Sequence, residues 1–330
     1  MKVKLYSGAL KLVEKSGVGQ AFFHQQQMLE LAGVETAKTH KDSYDIVHFN
    51  TVFPDSFFGA LLAHLRHKKV VYYAHSTMED FRNSFKGSNL LAPIFRRWIK
   101  LCYQTGDVII TPTEYSKQLI KSYGISKPVY ALSNGIDTDF FCPDAQRRAE
   151  FRKKYKLKDN DKAVISVGHY IERKGIIEYI NLARKLPEYK FFWFGYTNLN
   201  IVPDNVKRAI ENAPANLILP GYVSRDELRD AYCGCDLFDF MSFEETEGIV
   251  VLEALACAIP TIVRNIPVYD GWLKSGYNIY KADSDEDFMH LTMKILNNDT
   301  PCLTCAGREL ARNRSLRTIG QRLVGIYQTI

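Results

Sequence analysis

No uninterrupted apolar stretch in the 330-residue chain approaches the roughly 20 residues that span a bilayer. The opening MKVKLYSGAL turns to glycine and polar residues before a secretory signal can form, so the expected compartment is the cytoplasm. Cysteine is sparse and badly spaced for metal. Cys302 and Cys305 have the spacing of half a zinc site, but no second CxxC or HxxxH accompanies them, and reduced thiols are the simpler reading. The GxxxxGK[ST] pattern is missing, which excludes a P-loop nucleotidase. Gly17-Val-Gly19 lacks the third glycine of a dinucleotide fingerprint, whose place is taken by Phe22, and Glu35 is a poor ribose-binding acid. None of the strands predicted below ends in a DxD motif to hold a divalent metal, and His24, His40, His48, His64 and His67 show no metal spacing. These histidines are expected at the surface or as satisfied strand residues. Neither a repeat nor a low-complexity tract is present.

What is there is an ordinary globular composition, 46% hydrophobic and 24% charged. One core rarely grows beyond about 250–300 residues, so this length points to two domains. The net charge of +6 is lopsided: residues 1–143 hold 17 Lys and Arg against 12 Asp and Glu, and six of the eight histidines. A basic half suits an anionic partner, whether phosphate, nucleic acid or membrane surface, and charge alone does not choose.

Short β-rich runs alternate with amphipathic stretches. Residues 2–8, 45–50, 69–75, 107–113 and 128–133 read as strands, with helices at 18–32, 57–65 and 116–123. After a charged bridge near 142–161 the pattern restarts. Strands are predicted at 163–168, 190–195, 217–223, 236–242 and 260–263, and helices at 175–186, 224–233 and 248–257. Ser224 and Glu227 form a capping-box pattern. Strands alternating with helices imply parallel sheets covered on both faces, so the prediction is α/β with two doubly wound domains facing across a ligand cleft.

Residues 241–256 carry the most chemistry: a strand end, an acidic turn, Gly248 at a helix start, then an apolar helix. Glu245 and Glu253 stand eight apart, one on the turn and one inside the helix. Free N–H groups at the helix start favour an anionic or hydroxyl-rich ligand, and carboxylates accept from sugar hydroxyls. Glu244 and Glu247 fit a solvated acidic turn equally well. Glu253 interrupts the apolar face of Ile249, Val250, Val251, Leu252 and Leu255, so its carboxylate needs a partner.

This segment, Glu245-Thr-Glu-Gly-x4-Glu253, resembles the E-x7-E signature of the retaining family 4 glycosyltransferases, which have the GT-B fold of two Rossmann-like domains. Further motifs follow in the family's order: Ser16-Gly-Val-Gly19 resembles its glycine loop, and Asn134-Gly-Ile-Asp137 its domain-closing motif. Residues 168–175, GHYIERKG, resemble its phosphate-binding segment and Pro220-Gly-Tyr-Val223 its base-binding turn. The resemblance covers essentially the whole chain. It implies that Glu245 and the backbone of Gly248, Ile249 and Val250 hold the donor hexose and diphosphate. It further implies that Glu253 accepts from the ribose, that Arg173 and Lys174 neutralise the diphosphate, and that Gly17 and Gly19 let backbone approach it. His75 would lie beside the sugar, and Tyr222 and Val223 would meet the base. The arginine often found after Gly168 in the family is here His169, a departure that leaves the charge to Arg173 and Lys174. Fixed positive charge stabilises the departing diphosphate, so no obligatory metal and no tightly bound cofactor are expected. Same-face attack, with the leaving phosphate helping to deprotonate the acceptor, is implied by the resemblance alone.

Residues 89–104, NLLAPIFRRWIKLCYQ, read as a basic amphipathic helix suited to an anionic membrane, with Arg96, Arg97, Trp98 and Lys100 as its candidate contacts. The same helix would serve equally to pack on a sheet. Arg82, Lys86 and the run at 66–69 extend the basic surface. SGVGQAFFHQ, YYAHSTMEDFRNSF and VGHYIERKG resemble the glycolipid branch of the family, whose members add a second hexose to monoglucosyldiacylglycerol. His75, Glu79 and Asp80 would then lie near the acceptor hydroxyls. The expected enzyme is a hexosyltransferase using a UDP-hexose, glucose or galactose, and peripheral on the inner face of the membrane. A family 4 enzyme acting on a soluble or polyprenyl-linked saccharide, an epimerase of the same fold, and a basic nucleic-acid-binding module compete with it. No nucleic-acid motif accompanies the basic surface. Domain limits are expected at 1–143 with about 319–330, and at 144–318.

Overall fold

The computed structural model describes residues 1–9, 16–39 and 42–330, and His40 lies outside them. By contacts the chain divides into two units, Met1–Phe81 with Asn89–Asp137 and Arg314–Ile330, and Arg82–Ser88 with Thr138–Asn313. The sequence-based limits stood at 143/144 and 318/319; the contacts change hands at Asp137/Thr138 and Asn313/Arg314.

The first unit opens with β1 (Lys2–Tyr6), α1 (Gly17–Leu31), β2 (Glu35–Thr36) and β3 (Ile46–Phe49). It continues with α2 (Pro54–Leu65), β4 (Lys69–Tyr73), α3 (Met78–Phe81) and α4 (Ser88–Gln104). Then come β5 (Val108–Thr111), α5 (Glu114–Ser122) and β6 (Val129–Ala131). The strands form one parallel sheet in the order β2-β1-β3-β4-β5-β6. Both faces of β3 and β5 are buried, which is why their sequences, IVHF and VIIT, are mostly apolar without alternation.

The second unit begins with α6 (Ala145–Lys154), β7 (Ala163–Val167), a 3-10 turn at Glu172–Lys174, α7 (Ile176–Lys185) and β8 (Lys190–Phe194). Next are α8 (Asp204–Glu211), β9 (Leu217–Gly221), α9 (Arg225–Gly234), β10 (Leu237–Phe240), α10 (Ile249–Ala256) and β11 (Thr261–Arg264). It ends with β12 (Tyr280–Ala282), α11 (Asp285–Leu296) and α12 (Thr304–Arg312). Its sheet is also parallel throughout, in the order β12-β11-β10-β7-β8-β9. Two Rossmann-like domains of six strands each, among the described residues, realise the predicted α/β fold.

The charged bridge expected near 142–161 is instead the helix α6. Asp144 caps its start by accepting from the Gln146 and Arg147 amides, and Phe151 buries itself against Tyr155 and Phe192. Arg147 and Arg148 pair with Asp230 and Asp236, so the charges that read as a linker hold α6 to α9 and to the β10 entry. The last helix, α13 (Leu316–Tyr327), packs Leu316, Ile319, Leu323 and Tyr327 into the first unit's core beside Val3, Met28 and Ile110.

Each sheet reverses its winding once, β1 having β2 on one side and β3 on the other, and β7 lying between β10 and β8. Such reversals open a crevice at the carboxyl ends of the strands, where ligands of this architecture bind.

Candidate active site

Beside the second reversal, the loop after β7 and the loop after β10 are clasped together. Arg173 is buried and its guanidinium donates to the Glu244 carbonyl at 2.6 Å. In return the Phe243 amide and the Ser242 hydroxyl donate to the Arg173 carbonyl, at 2.8 and 3.3 Å. Gly175 sits at φ 77°, and a Cβ there would meet the Met241 carbonyl oxygen at 2.5 Å. Only glycine permits both the left-handed backbone and this approach. The clasp delivers the Lys174 ammonium to the Glu245 carboxylate, with which it forms a short ion pair, and holds it over the Phe240 ring at 5.4 Å. Burial pushes the Glu245 carboxyl up, but Lys174 and Arg173 more than offset this and leave it below its ordinary value.

Gly248 caps α10 from the left-handed region at φ 85°, which aims the first amides of an apolar helix out of the turn. Ile249 and Val250 occupy that first turn, half-buried. Glu253 is buried and has the partner its sequence position demanded: the Tyr232 hydroxyl donates to it at 2.9 Å. Burial raises the Glu253 carboxyl to about 7. Glu247 is not solvated as the acidic-turn reading allowed; it is only 1% exposed. Tyr222 and Val223 follow β9 after Gly221, and the Tyr222 ring is exposed. His169 sends Nδ1 to the Tyr196 carbonyl at 3.0 Å, so the imidazole occupies the β7–β8 edge at the position where the family often carries an arginine.

In the first unit, Gly17 and Gly19 belong to the first turn of α1, where Ser16 caps the helix by accepting from the Val18 amide at 3.3 Å. His75 follows β4 and its Nε2 lies 2.9 Å from the Asn50 side-chain oxygen. Asn50 in turn exchanges two hydrogen bonds with Gln25, at 2.8 and 2.7 Å. All three are buried, and the His75 ring stacks on Tyr73 at 4.5 Å and 4°. Burial lowers His75 to about 3, and burial with His75 as neighbour does the same to His48. His24 and His48 lie in the core, His24 against the Asn134 carbonyl and His48 against the Tyr327 hydroxyl, while His64 and His67 are exposed. Glu79, on α3, accepts a short hydrogen bond from Tyr123, and Asp80 is half-buried beside it.

The helix α4 forms where predicted, but its apolar side chains divide between core and surface. Ile99 and Cys102 are fully buried, and Trp98 is half-buried with its indole N–H donating to the Val52 carbonyl at 2.6 Å. Arg96 lies over the Tyr123 ring and donates to the Ser122 carbonyl at 3.1 Å, Lys100 is half-buried, and Arg97 is exposed. Leu90, Leu91, Ile94 and Leu101 remain exposed. The neighbouring α2, joined through the Phe57–Trp98 ring contact, exposes Phe58, Leu61, Leu62 and Leu65 by 64, 41, 46 and 79%. Among the described residues no helix is long and apolar enough to cross a membrane.

Residues 23–140 match Glycosyltransferase Family 4 and residues 147–312 match Glycosyl transferases group 1. The chain is 40% identical to the processive diacylglycerol alpha-glucosyltransferase of Acholeplasma laidlawii, over 100% of its own length and 98% of that protein. It belongs to the family 4 glycosyltransferases. A second relative of this glycosyltransferase is the alpha-galactosylglucosyldiacylglycerol synthase of Streptococcus pneumoniae, 28% identical over 71% of this chain and 63% of that one. Among solved structures, Anabaena HepE in complex with UDP and glucose superposes with a TM-score of 0.79 at 15% identity, covering 100% of this chain and 99% of that one. That likeness shows the fold.

Several groups in this glycosyltransferase escape a motif reading. Tyr232 carries no motif, although Glu253 within an apolar face announced that some partner must exist. Gln25 and Asn50 belong to no recognised pattern and are found only once β3 and β4 lie side by side. The exposed stripe on α2 was legible as apolar residues at 58, 61, 62 and 65, a spacing that a core helix shares.

Proposed function

We propose that this glycosyltransferase transfers glucose from UDP-glucose to a membrane glycolipid, monoglucosyldiacylglycerol, with retention at the anomeric carbon. The Arg173–Lys174–Glu245 group beside the β7–β10 reversal, with Arg173 and Glu245 buried and Lys174 half-buried, carries the reading. In this proposal Arg173 and Lys174 face the diphosphate and stabilise the charge that grows on its bridging oxygen as the sugar departs. Glu245 pre-orients the Lys174 ammonium before donor binds and then accepts from hexose hydroxyls, with the Gly248, Ile249 and Val250 backbone alongside. Glu253 and Tyr232 form a unit that receives the ribose, and Tyr222 and Val223 receive the base. Gly17 and Gly19, at the start of α1, let backbone amides near the diphosphate, and His75 meets a sugar hydroxyl. The acceptor hydroxyl attacks the face the nucleotide leaves and passes its proton to the departing phosphate. Both glycolipid relatives are named for alpha linkages, and an alpha product from an alpha-linked nucleotide sugar is retention. The name of the relative matched over the full length favours glucose as the donor hexose.

The proposed site of action is the inner face of the membrane. The α2 stripe and the exposed Leu90, Leu91 and Ile94 of α4 enter the interface, and Arg66, Lys69 and Arg97, all exposed, meet anionic headgroups. Trp98, half-buried with its indole engaged by Val52, supports this face from within, and the exposed Arg96 is tied to Ser122.

The deciding experiment offers UDP-glucose and UDP-galactose separately with monoglucosyldiacylglycerol in anionic mixed micelles. An alpha-linked diglucosyl lipid is the expected product. A product from UDP-galactose alone would reassign the donor, and nucleotide binding without any glycolipid product would remove the lipid acceptor.

A further inference from the structure

Two histidines of the first unit stack with the Tyr73 ring, at 5.8 Å for His48 and 4.5 Å for His75, both nearly parallel to it. Their nitrogens are treated differently. His48 turns Nδ1 to the Tyr327 hydroxyl, and its Nε2 is enclosed without a partner. That ring is a core residue. His75 spends Nε2 on Asn50, while among the described residues its Nδ1 is bonded to no protein group and is not one of the enclosed atoms. One nitrogen of His75 is thus held and the other is left open to whatever lies outside.

The proton on the held nitrogen follows from counting donors and acceptors. The Asn50 side-chain oxygen accepts from the Gln25 amide at 2.8 Å, and the Asn50 amide donates to the Gln25 oxygen at 2.7 Å. The two bonds orient the amides together, with the Asn50 side-chain oxygen as the end placed toward His75. Its second lone pair faces His75 Nε2 at 2.9 Å, and an oxygen can only accept. Nε2 therefore carries the hydrogen, and a neutral imidazole so protonated has a lone pair on Nδ1. Burial keeps the ring neutral across the physiological range, and the titratable neighbour His48 is neutral for the same reason. Gln25 reaches the pair from α1, the helix that Gly17 and Gly19 begin, whereas Asn50 and His75 follow adjacent strands.

We propose that the Gln25–Asn50 amide pair is a positioning device that fixes His75 as the Nε2–H tautomer, so that His75 meets a sugar hydroxyl as a hydrogen-bond acceptor through Nδ1. The proposal rests on the reading of His75 as a sugar contact given above. It gives the ring a definite role, in which His75 orders a hydroxyl and supplies neither a proton nor a positive charge. Gln25 and Asn50 touch His75 rather than the substrate, and act through it.

The tautomer is read directly from long-range 1H–15N correlation of the uniformly labelled full chain, with His75→Gln locating the resonances. Nε2 protonated, Nδ1 bare, and no titration between about pH 5 and 8 are expected. Addition of UDP-glucose, or of monoglucosyldiacylglycerol in micelles, should then move the Nδ1 resonance as it accepts a hydroxyl. Asn50→Asp replaces the neutral acceptor by a carboxylate, which favours the imidazolium. Its kcat/KM should gain an acid-side limb near neutrality beyond any that the unsubstituted enzyme shows. Asn50→Leu should lower turnover roughly threefold to tenfold, about the worth of one ordinary hydrogen bond, with the Nδ1–H form appearing in its spectrum. An active enzyme whose free spectrum shows Nδ1–H or a cationic His75 would overturn the inference while leaving the proposed function standing. So would an Nδ1 resonance unmoved by both substrates in a protein that turns them over. Failure of UDP-glucose to bind would sink the functional reading and the sugar contact together, while the tautomer of the free protein would still be read. Because that spectrum needs no variant, poor folding of Asn50→Asp or Asn50→Leu cannot mask the answer.

Discussion

The two units place polar groups at the same kind of position, the carboxyl ends of parallel strands beside a reversal, and fill it with opposite chemistry. In the second unit the groups are charged: buried Arg173 and Glu245, with Lys174 half-buried beside Glu245. In the first they are neutral: Gln25, Asn50 and a His75 that burial keeps uncharged. Charged groups cost most to desolvate, so they are worth burying only where charge develops during the reaction. A neutral amide–imidazole chain costs less and sorts hydroxyls by direction. The outside differs too: the first unit gathers eight of its exposed large apolar side chains on α2 and α4, while those of the second, such as Ile201, Tyr277 and Met293, lie on separate segments.

The sharpest way to break the comparison is to remove charge from the second unit. Lys174→Met should lower kcat by about 10²–10³, the usual loss for one group stabilising a developing anion. Glu245→Gln should fall in the same direction, and the double variant should lose less than the product of the two, since each leaves the other unpaired. Turnover within a few-fold of the unsubstituted enzyme would detach the ion pair from catalysis.

Next in size is the outer face. Leu61→Ser with Leu65→Ser should weaken partition onto anionic vesicles by roughly a hundredfold or more, from about 1.5–3 kcal/mol for each leucine no longer buried. Activity on detergent-dispersed acceptor should persist. Equal loss of both would mean that the stripe supports the fold.

Tyr232→Phe leaves the buried Glu253 without its donor and should cost about 1–3 kcal/mol of stability, measured by denaturant unfolding, with a further rise in donor KM. An unchanged midpoint would show that the carboxyl finds another partner.

The smallest effect is a pH dependence of opposite sign in the two units. His48 and His75, at about 3 when folded, bind protons more readily unfolded, so their contribution is lost as pH falls from their ordinary 6.5. Asp239, raised to about 8 by burial and hydrogen-bonded to Thr292, and Glu253, raised to about 7, hold protons more tightly when folded. Their contribution is lost as pH rises through those values. Asp239→Asn should flatten the decline of the melting temperature that runs from its ordinary 3.8 up to about 8; a curve with the same slope over that range would show that Asp239 is ionised in the fold.

Much of this was legible beforehand. Fully buried parallel strands such as β7 announce themselves as apolar runs, and Glu253 within an apolar helix announced a carboxylate with a partner, which is Tyr232. The weak strands β2 and β12, of two and three residues, left no periodicity to read. The helix α6 was hidden because its charged residues looked like linker when their partners, Asp230 and Asp236, lay more than 80 residues away. The Gln25–Asn50–His75 chain was invisible for the same reason: its members come from three separate elements, and amides carry no motif. On α4, helical spacing showed an apolar side but not how much of it the sheet would cover.

The clasp between Arg173 and residues 242–244 has a consequence for engineering. Each loop supplies backbone acceptors or donors that the other requires, and Gly175 leaves no space between them. Chimeras that import only the acidic turn of another sugar transferase should inherit a mismatched seam, whereas exchange of 168–175 together with 241–248 moves an intact cassette. Variation in donor preference would then travel through such enzymes in linked blocks rather than residue by residue.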